Sequence, residues 1–219
     1  MNDQIEKLVK MCLEYDPDFN TIGLYIKHKA LSPEILCEAA YEIIDIIMYV
    51  DFDSAKHLAP LMELFLSHGM SPDAVHDGEV LMSLFRFIYK DYAGADALSV
   101  FLEYGGNPDI QPENDGVTLL SDILGDISIG AFDDGESEDG ALHCMLVATG
   151  YGGKLTNGNT VKMLDGYDKS ILKNHRLFDC KVLRDGNGEV FVHAVMKTSG
   201  KTVAVIVQIS TVEKKCTLP

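Results

Sequence analysis

Two different spacings of apolar residues divide the chain. Near its start, Ile5, Leu8 and Cys12 follow the three-to-four-residue spacing of a helix with one buried face. From Phe178 onward, apolar and polar residues alternate instead, as they do in a half-buried strand. We therefore predict an α+β fold that is helical up to about residue 165 and ends in strands.

The alternating region predicts a three-stranded antiparallel β-meander. Residues 178–184 form the first strand and run into Asp-Gly-Asn-Gly at 185–188, a hairpin turn signal. Residues 189–197 and 202–210 supply the other two strands. Three strands are stable only when one face is covered, so we expect the last helical unit to cover this sheet. Because the third strand is almost entirely apolar, its edge also offers a surface for a homodimer.

A short phrase recurs within the helical region. Residues 64–73 read LFLSHGMSPD, and residues 100–109, which begin 36 positions later, read VFLEYGGNPD. Residues 145–153 are a weaker copy, and residues 24–33 are a decayed earlier one. A period of this size indicates stacked helical repeats, which mostly form extended binding surfaces.

Each copy of the phrase is typical of a helix end. Its apolar triplet gives the last turn a buried face. Gly69, Gly105 and Gly150 then stand where a left-handed residue commonly ends a helix. Pro72 and Pro108 follow closely and prevent the helix from continuing. We therefore expect these glycines at helix C-termini, with positive φ.

A second phrase follows the first and predicts the start of the next helix. It reads GEVLMS at 78–83, GVTLLS at 116–121 and GNTVKM at 158–163. Thr118 and Thr160 are candidate N-caps, because a threonine hydroxyl can accept a hydrogen bond from a free backbone N–H of the first helical turn.

With both phrases in place, the chain resembles the ankyrin-repeat family over roughly residues 24–165. That family reads L-L-x-x-G-A-x-P-N, then a finger-like turn, then G-x-T-P-L-H-x-A. Here Leu119 replaces the family proline, Ser121 replaces its histidine, and Val80 replaces its threonine. The spacings of 40, 36 and 45 residues also depart from the usual period of about 33. The resemblance implies stacked helix pairs that bind partner proteins; an ordinary helical domain whose helices end in Gly and Pro is the alternative.

Composition sets the outer limits of the chain. Its 219 residues, 47% of them hydrophobic, can bury a sizeable core. We divide the chain into a repeat region at 1–165 and a C-terminal meander at 166–219. The first ten residues are polar and charged, unlike a signal peptide. The apolar run at 43–50 is too short to span a bilayer. Five scattered cysteines without a C-x-x-C pair are typical of reduced thiols, which predicts a cytoplasmic protein.

Charge is unevenly distributed along the chain. The net charge of −16 divides into −21 for residues 1–150, with 28 acidic and 7 basic residues, and +5 for residues 151–219, with 6 and 11. No Lys or Arg occurs from residue 91 to residue 153. Such a region repels nucleic acid and anionic membranes. It attracts basic partners and speeds their encounter. Solubility alone is the alternative explanation.

We therefore predict a non-catalytic protein-protein interaction module that binds a basic protein, with an antidote to a cationic toxin as one concrete role. Its contact residues would lie on the turn fingers and the adjoining helix starts. Acidic side chains would steer the partner, and Val75 and Ile110 would supply apolar contact. Exposed finger charges should contribute little to folding. The predicted contact residues are Met70, Asp73, Val75, His76 and Asp77 in the first finger and Asn107, Asp109, Ile110, Gln111, Glu113, Asn114 and Asp115 in the second.

The sequence contains no specific catalytic or metal-binding motif. The sequence GYGGKL at 150–155 lacks the spacing of a phosphate loop, and no zinc spacing occurs. His143 beside Cys144, and His175 near Cys180, lie in no recognisable nucleophile motif. We therefore expect no cofactor and no metal. A small enzyme with a site between repeats and meander is the alternative. That site would use Asp165, Asp168, His175 and Asp179.

Overall fold

The chain folds into helices followed by a sheet. The computed structural model describes residues 3–111, 117–132, 135–156, 161–164, 166–186 and 189–208. These ranges contain eight α-helices, a two-stranded hairpin and a four-stranded antiparallel sheet, so the fold is α+β. The helices are α1 (Asp3–Cys12), α2 (Phe19–Lys29), α3 (Pro33–Tyr49), α4 (Leu58–Ser67), α5 (Leu81–Leu84), α6 (Ala93–Glu103), α7 (Leu119–Ile129) and α8 (Gly135–Gly150). The strands are β1 (Val75–His76), β2 (Glu79–Val80), β3 (Val161–Met163), β4 (Phe178–Arg184), β5 (Val190–Met196) and β6 (Thr202–Gln208).

The helices pack side by side around one apolar core. α1 packs on α3, α4 on α6, and α6 on α8. In α1, the apolar residues Ile5, Leu8 and Cys12 are buried, as their spacing predicts. Phe85 and Phe101 meet edge to face in the core with ring centroids 5.0 Å apart, an arrangement that aromatic pairs prefer. The helical spacing of apolar residues therefore marks the faces that form the core.

The predicted ends of α4 and α6 are confirmed. Gly69 and Gly105 follow these helices with φ of 99° and 92°, a region that glycine adopts at little cost. In both turns, the residue after the glycine donates its N–H to the carbonyl five positions earlier, at 3.1 and 3.0 Å. α2 ends in the same way: Ala30 has a φ of 47°, and Leu31 donates to Ile26 at 3.1 Å. The decayed copy of the phrase therefore keeps this turn, one residue later than in the copies that end α4 and α6.

The third predicted helix end is wrong by two residues. α8 includes Gly150, and Gly152 has the positive φ, 96°. The N–H of Gly153 then donates to the carbonyl oxygen of Ala148 at 2.9 Å, so the same turn occurs two residues later. Gly150 itself meets a different requirement, which a contact outside the phrase imposes. A Cβ atom at Gly150 would lie 2.6 Å from the backbone nitrogen of Lys173, so glycine is needed there for close approach.

The second phrase starts helices at two of its three copies. Leu81 begins α5 and Leu119 begins α7. Thr118 occupies the N-cap position of α7, but its hydroxyl donates to the carbonyl oxygen of Lys154 at 2.6 Å and makes no capping bond. This side chain therefore joins the start of α7 to the segment after α8. Thr160 lies outside the described residues.

The C-terminal sheet has four strands rather than three. Its order is β3-β6-β5-β4, with all neighbours antiparallel. β4, β5 and β6 lie where the alternating pattern predicts strands. β3 lies in a segment that was predicted to be helical, on the N-terminal side of the predicted boundary at residue 166. Its pairing with residues 204–206 occupies the edge of β6 that was considered for a homodimer.

The sheet is attached to the helices mainly through α8. Two short 3₁₀ helices, Lys169–Lys173 and His175–Leu177, precede β4 and pack on α8. β4 also contacts α8, and β6 contacts α7. On the sheet, Phe178, Val192 and Ala194 are fully buried. The last two helices of the stack therefore lie against the sheet.

Candidate functional site

The first finger is a short β-hairpin formed by β1 and β2. Asp77 and Gly78 make its turn with φ of 51° and 89°, the left-handed conformation that Asp-Gly sequences favour in two-residue hairpins. Val75 is 53% exposed. His76 is half-buried against Tyr41, with ring centroids 4.7 Å apart. The hairpin therefore holds the apolar side chain of Val75 and the acidic side chains of Asp77 and Glu79 at the surface.

Four carboxylates surround this hairpin. Asp77 and Glu79 belong to it, and Glu34 and Glu38 lie at the start of α3, where they line a groove of about 330 Å³ together with Val75. Within the described ranges, none of the four forms an ion pair with a Lys or Arg. We call these four acids and Val75 the acidic hairpin patch.

Five acids of the stretch that lacks Lys and Arg pair with basic residues from outside it. Arg86 contacts Asp122 and Asp126 of α7 at 2.9 and 2.8 Å. The C-terminal region supplies the other three basic residues. Their pairs are Lys154–Asp109 at 3.4 Å, Arg176–Asp96 at 2.6 Å and Arg184–Glu138 at 3.4 Å. This part of the acidic stretch is therefore compensated within the molecule, unlike the acidic hairpin patch.

Two of the predicted contact acids connect successive turns. Oδ1 of Asp73 accepts a hydrogen bond from the backbone N–H of Asn107, and Oδ1 of Asp109 accepts one from the backbone N–H of Lys154, both at 2.7 Å. Each acid stands four residues after the left-handed glycine of its turn, and each donor stands two residues after that of the next turn. These carboxylates therefore have a structural role that finger charges were not expected to have.

Removing the carboxylate of Asp73 should destabilise the protein more than removing only its charge. Asp73→Ala takes away the acceptor of the Asn107 N–H, and we expect the free energy of unfolding to fall by about 1–2 kcal/mol. Asp73→Asn keeps an oxygen acceptor in place and is the matched control, with at most about half of that loss. Urea denaturation of both variants measures the difference. Equal losses would mean that the hydrogen bond is not the stabilising element.

The other predicted contact residues have three different locations. Met70 is only 3% exposed and belongs to the core. Asn107 and Gln111 are exposed and Ile110 is half-buried. Together with the hairpin, these three residues line a groove of about 310 Å³ between the two fingers. The predicted contact residues Glu113, Asn114 and Asp115 lie outside the described residues.

The three described residues that were considered for an enzyme site do not converge. His175 lines a cleft of about 510 Å³ between α6 and the segment before β4. Asp168 instead caps the 3₁₀ helix that follows it, and Asp179 pairs with Lys197 at 3.7 Å; neither lines the cleft. Asp165 lies outside the described residues.

A buried histidine pair lies beside this cleft. Nδ1 of His143 and Nδ1 of His175 are 3.0 Å apart, and both side chains are buried. Nε2 of His175 lies 3.1 Å from Oδ1 of Asp96, whose other oxygen Arg176 contacts at 2.6 Å. Tyr92 stacks on His143, with ring centroids 4.0 Å apart. Since both ring nitrogens of His175 have partners, this histidine has no free nitrogen to offer a substrate.

Burial and hydrogen bonds together set the pKa values in this cluster. Burial, reinforced by positive charges nearby, lowers the pKa of His143 to about 3. Burial alone would raise the pKa of Asp96, but hydrogen bonds from His175 and Arg176 hold it below its usual value. Burial also raises the pKa of the Cys144 thiol to about 12, so this cysteine is a neutral core residue and not a nucleophile.

Comparison with known proteins identified no similar protein, so a function has to be inferred from the geometry of the chain. No protein-family model matches the chain, and neither a curated protein nor a solved structure is significantly similar to it. Among the described residues, no helix combines the length and apolarity that crossing a membrane requires. The same residues contain no group of three or more His, Cys, Asp or Glu side chains placed to hold a metal ion.

Proposed function

We propose that this protein is a non-catalytic binding module with ankyrin-like helical repeats, and that its acidic hairpin patch binds a basic protein. The observation that carries the proposal is the patch itself. Its four carboxylates have no Lys or Arg partner among the described residues, and two of them, Glu34 and Glu38, line a groove together with the exposed side chain of Val75. An antidote that masks a cationic toxin is one role that such a surface would suit.

Repeating geometry supports the ankyrin-like part of the proposal. The same left-handed turn closes α2, α4 and α6 and follows α8. α4, α6 and α8 pack on one another in sequence order. Asp73 and Asp109 join successive turns through equivalent hydrogen bonds. Repeats that stack in this way expose an extended surface on which a partner can be bound.

The acidic hairpin patch suits a basic partner for two physical reasons. Lys and Arg side chains of the partner can pair with its carboxylates without displacing a Lys or Arg of this chain from among the described residues. Val75 lies among them as an apolar contact, the kind of residue that lies at the centre of many interfaces. Grooves of about 310 and 330 Å³ beside the hairpin give room for partner side chains. The same charges repel phosphate groups, so we expect neither nucleic acid nor an anionic membrane as partner.

Reversing the charge of the patch should slow association with the partner. In the triple variant Glu38→Lys, Asp77→Asn and Glu79→Lys, we expect the association rate to fall at least about tenfold at low salt. Asn is chosen at the turn because it tolerates positive φ. The effect should shrink in about 1 M salt, where charges are screened beyond about 3 Å. Affinity capture identifies the partner, and stopped-flow mixing with the purified partner measures the rate.

A second triple variant with the same change in net charge provides the control. Glu14→Lys, Asp16→Asn and Glu63→Lys alter three exposed acids away from the hairpin. We expect this control to retain most of the association rate. A captured partner that is itself acidic would contradict the proposal, as would equal slowing by the two triple variants. Circular dichroism of both variants confirms that they are folded.

A further inference from the structure

The buried histidine pair joins the helices to the sheet. His143 lies in the middle of α8, whereas His175 lies in the 3₁₀ helix that leads directly into β4. Arg176 of the same 3₁₀ helix reaches back to Asp96 of α6. The last turn of this 3₁₀ helix is also tied to the sheet, since the N–H of Lys197 donates to the carbonyl oxygen of Leu177 at 2.9 Å. The two rings therefore meet where the sheet is attached.

The protons of the pair can be assigned from its partners. Nε2 of His175 faces the carboxylate of Asp96, which only accepts hydrogen bonds, so this nitrogen carries a hydrogen. Nδ1 of a neutral His175 is then an acceptor, and the hydrogen in the 3.0 Å contact belongs to Nδ1 of His143. Nε2 of His143 is left without a hydrogen, and it has no hydrogen-bond partner.

The contact has room for only one hydrogen between the two Nδ1 atoms. A first added proton therefore has to be accommodated on Nε2 of His143, whichever ring carries the charge. That nitrogen is fully buried, and the nearest carboxylate oxygen, Oδ1 of Asp139, is 3.7 Å away. A second added proton would place two N–H groups against each other. Separated rings, in contrast, can each bind a proton in water.

We propose that the contact between His143 and His175 is an acid-sensitive joint, in which protonation separates the rings and releases the 3₁₀ helix His175–Leu177 and the sheet β3–β6 from the helices that they contact, α6, α7 and α8. Charges from every neighbouring element set its response. Asp139 of α8 and Asp96 of α6 favour protonation of the pair, whereas Arg176 and Lys197 oppose it. The uncharged Tyr92 ring covers His143, and Cys180 of β4 is a neutral thiol whose pKa burial raises.

The sign of the effect follows from the number of protons that each state binds. In the closed joint, the pKa of His143 is about 3. After opening, it returns to about 6.5, so the open state binds more protons below that pH. Stability of the joint is therefore fully present above about pH 6.5 and is lost as the pH falls toward 3. The proton that His143 takes up makes opening about 30-fold more favourable at pH 5.0 than at pH 7.5.

Hydrogen exchange of the full chain tests the joint. A sheet released from the helices loses the cover that keeps it stable, so its strands separate and the β5 amides exchange. After correction for intrinsic exchange rates, protection of β5 amides should fall at least about 30-fold between pH 7.5 and pH 5.0, while protection of α3 amides changes less than about threefold. In His143→Gln, whose amide N–H can still donate to His175, the loss in β5 should shrink about tenfold or more. His28→Gln, at an exposed position on α2, is the matched control and should behave as wild type.

Three results would overturn the joint. They are unchanged protection of β5 at pH 5.0, an equal loss in α3, and an equal effect of His28→Gln and His143→Gln. Should His143→Gln fail to fold, His143→Phe keeps an aromatic ring over Tyr92 and carries the same expectation. The comparison of β5 with α3 in the wild-type protein tests the joint without any variant.

Discussion

In Arg86→Met, we expect the free energy of unfolding to fall by about 3–5 kcal/mol. The Arg86 side chain is 11% exposed and contacts Asp122 and Asp126 of α7 at 2.9 and 2.8 Å. It also donates to the carbonyl oxygen of Ser83 at 2.7 Å. Methionine has a similar length but no charge, so the variant leaves two half-buried carboxylates of α7 without their cation. Urea denaturation at neutral pH measures the loss.

A triple variant separates the lost charge from the lost packing. Arg86→Met combined with Asp122→Asn and Asp126→Asn removes the carboxylates that the single change leaves uncompensated. We expect it to recover at least about half of the stability lost in Arg86→Met. A loss below about 1 kcal/mol in the single variant would show that this ion pair behaves like an exposed one.

In Gly150→Ala, we expect a loss of about 1–3 kcal/mol, because the new methyl group has no space. Its Cβ atom would lie 2.6 Å from the backbone nitrogen of Lys173 and 3.0 Å from the carbonyl carbon of Leu172. Backbone atoms cannot rotate away as a flexible side chain can, so the 3₁₀ helix Lys169–Lys173 would have to move off α8. Thermal unfolding measures the effect.

Gly125→Ala is the matched control for this change. Gly125 lies inside α7, and a Cβ atom there meets nothing within 4 Å. Alanine should therefore raise the free energy of unfolding by up to about 1 kcal/mol through its better helix propensity. If both alanine variants gained stability, close approach of the backbone to Gly150 would not be what requires glycine.

Short sequence phrases predicted where two of the helices end, but they did not show contacts with distant parts of the chain. The turns at Gly69 and Gly105 follow from a phrase of ten residues, since every group that forms them lies within it. Gly150 of the third copy instead lies inside α8, where backbone more than twenty residues later leaves no room for a Cβ atom. β3 was missed because three residues give no reliable alternation, and its partner β6 lies about forty residues further on.

At the candidate site too, local features could be predicted from the sequence, whereas long-range contacts could not. The sequence indicated a first finger of mixed acidic and apolar side chains, and the Asp-Gly turn places Val75 and Asp77 at the surface. Asp73 and Asp109 occupy the same position of the repeated phrase, which indicates a shared role. The sequence did not show that this role is to accept a hydrogen bond from a turn 34 residues later. His143 and His175 are 32 residues apart and share no motif, so only the fold brings them together.

The hydrogen bonds of Asp73 and Asp109 have a direction along the chain. In both, the acceptor comes first and the backbone donor follows later in the sequence. During synthesis, each acceptor turn therefore leaves the ribosome before its donor. In the interval, water solvates the waiting carboxylate at little cost, and the preceding turn can fold without a buried group left unpaired. The stack can consequently grow from its N-terminal end one turn at a time while translation continues.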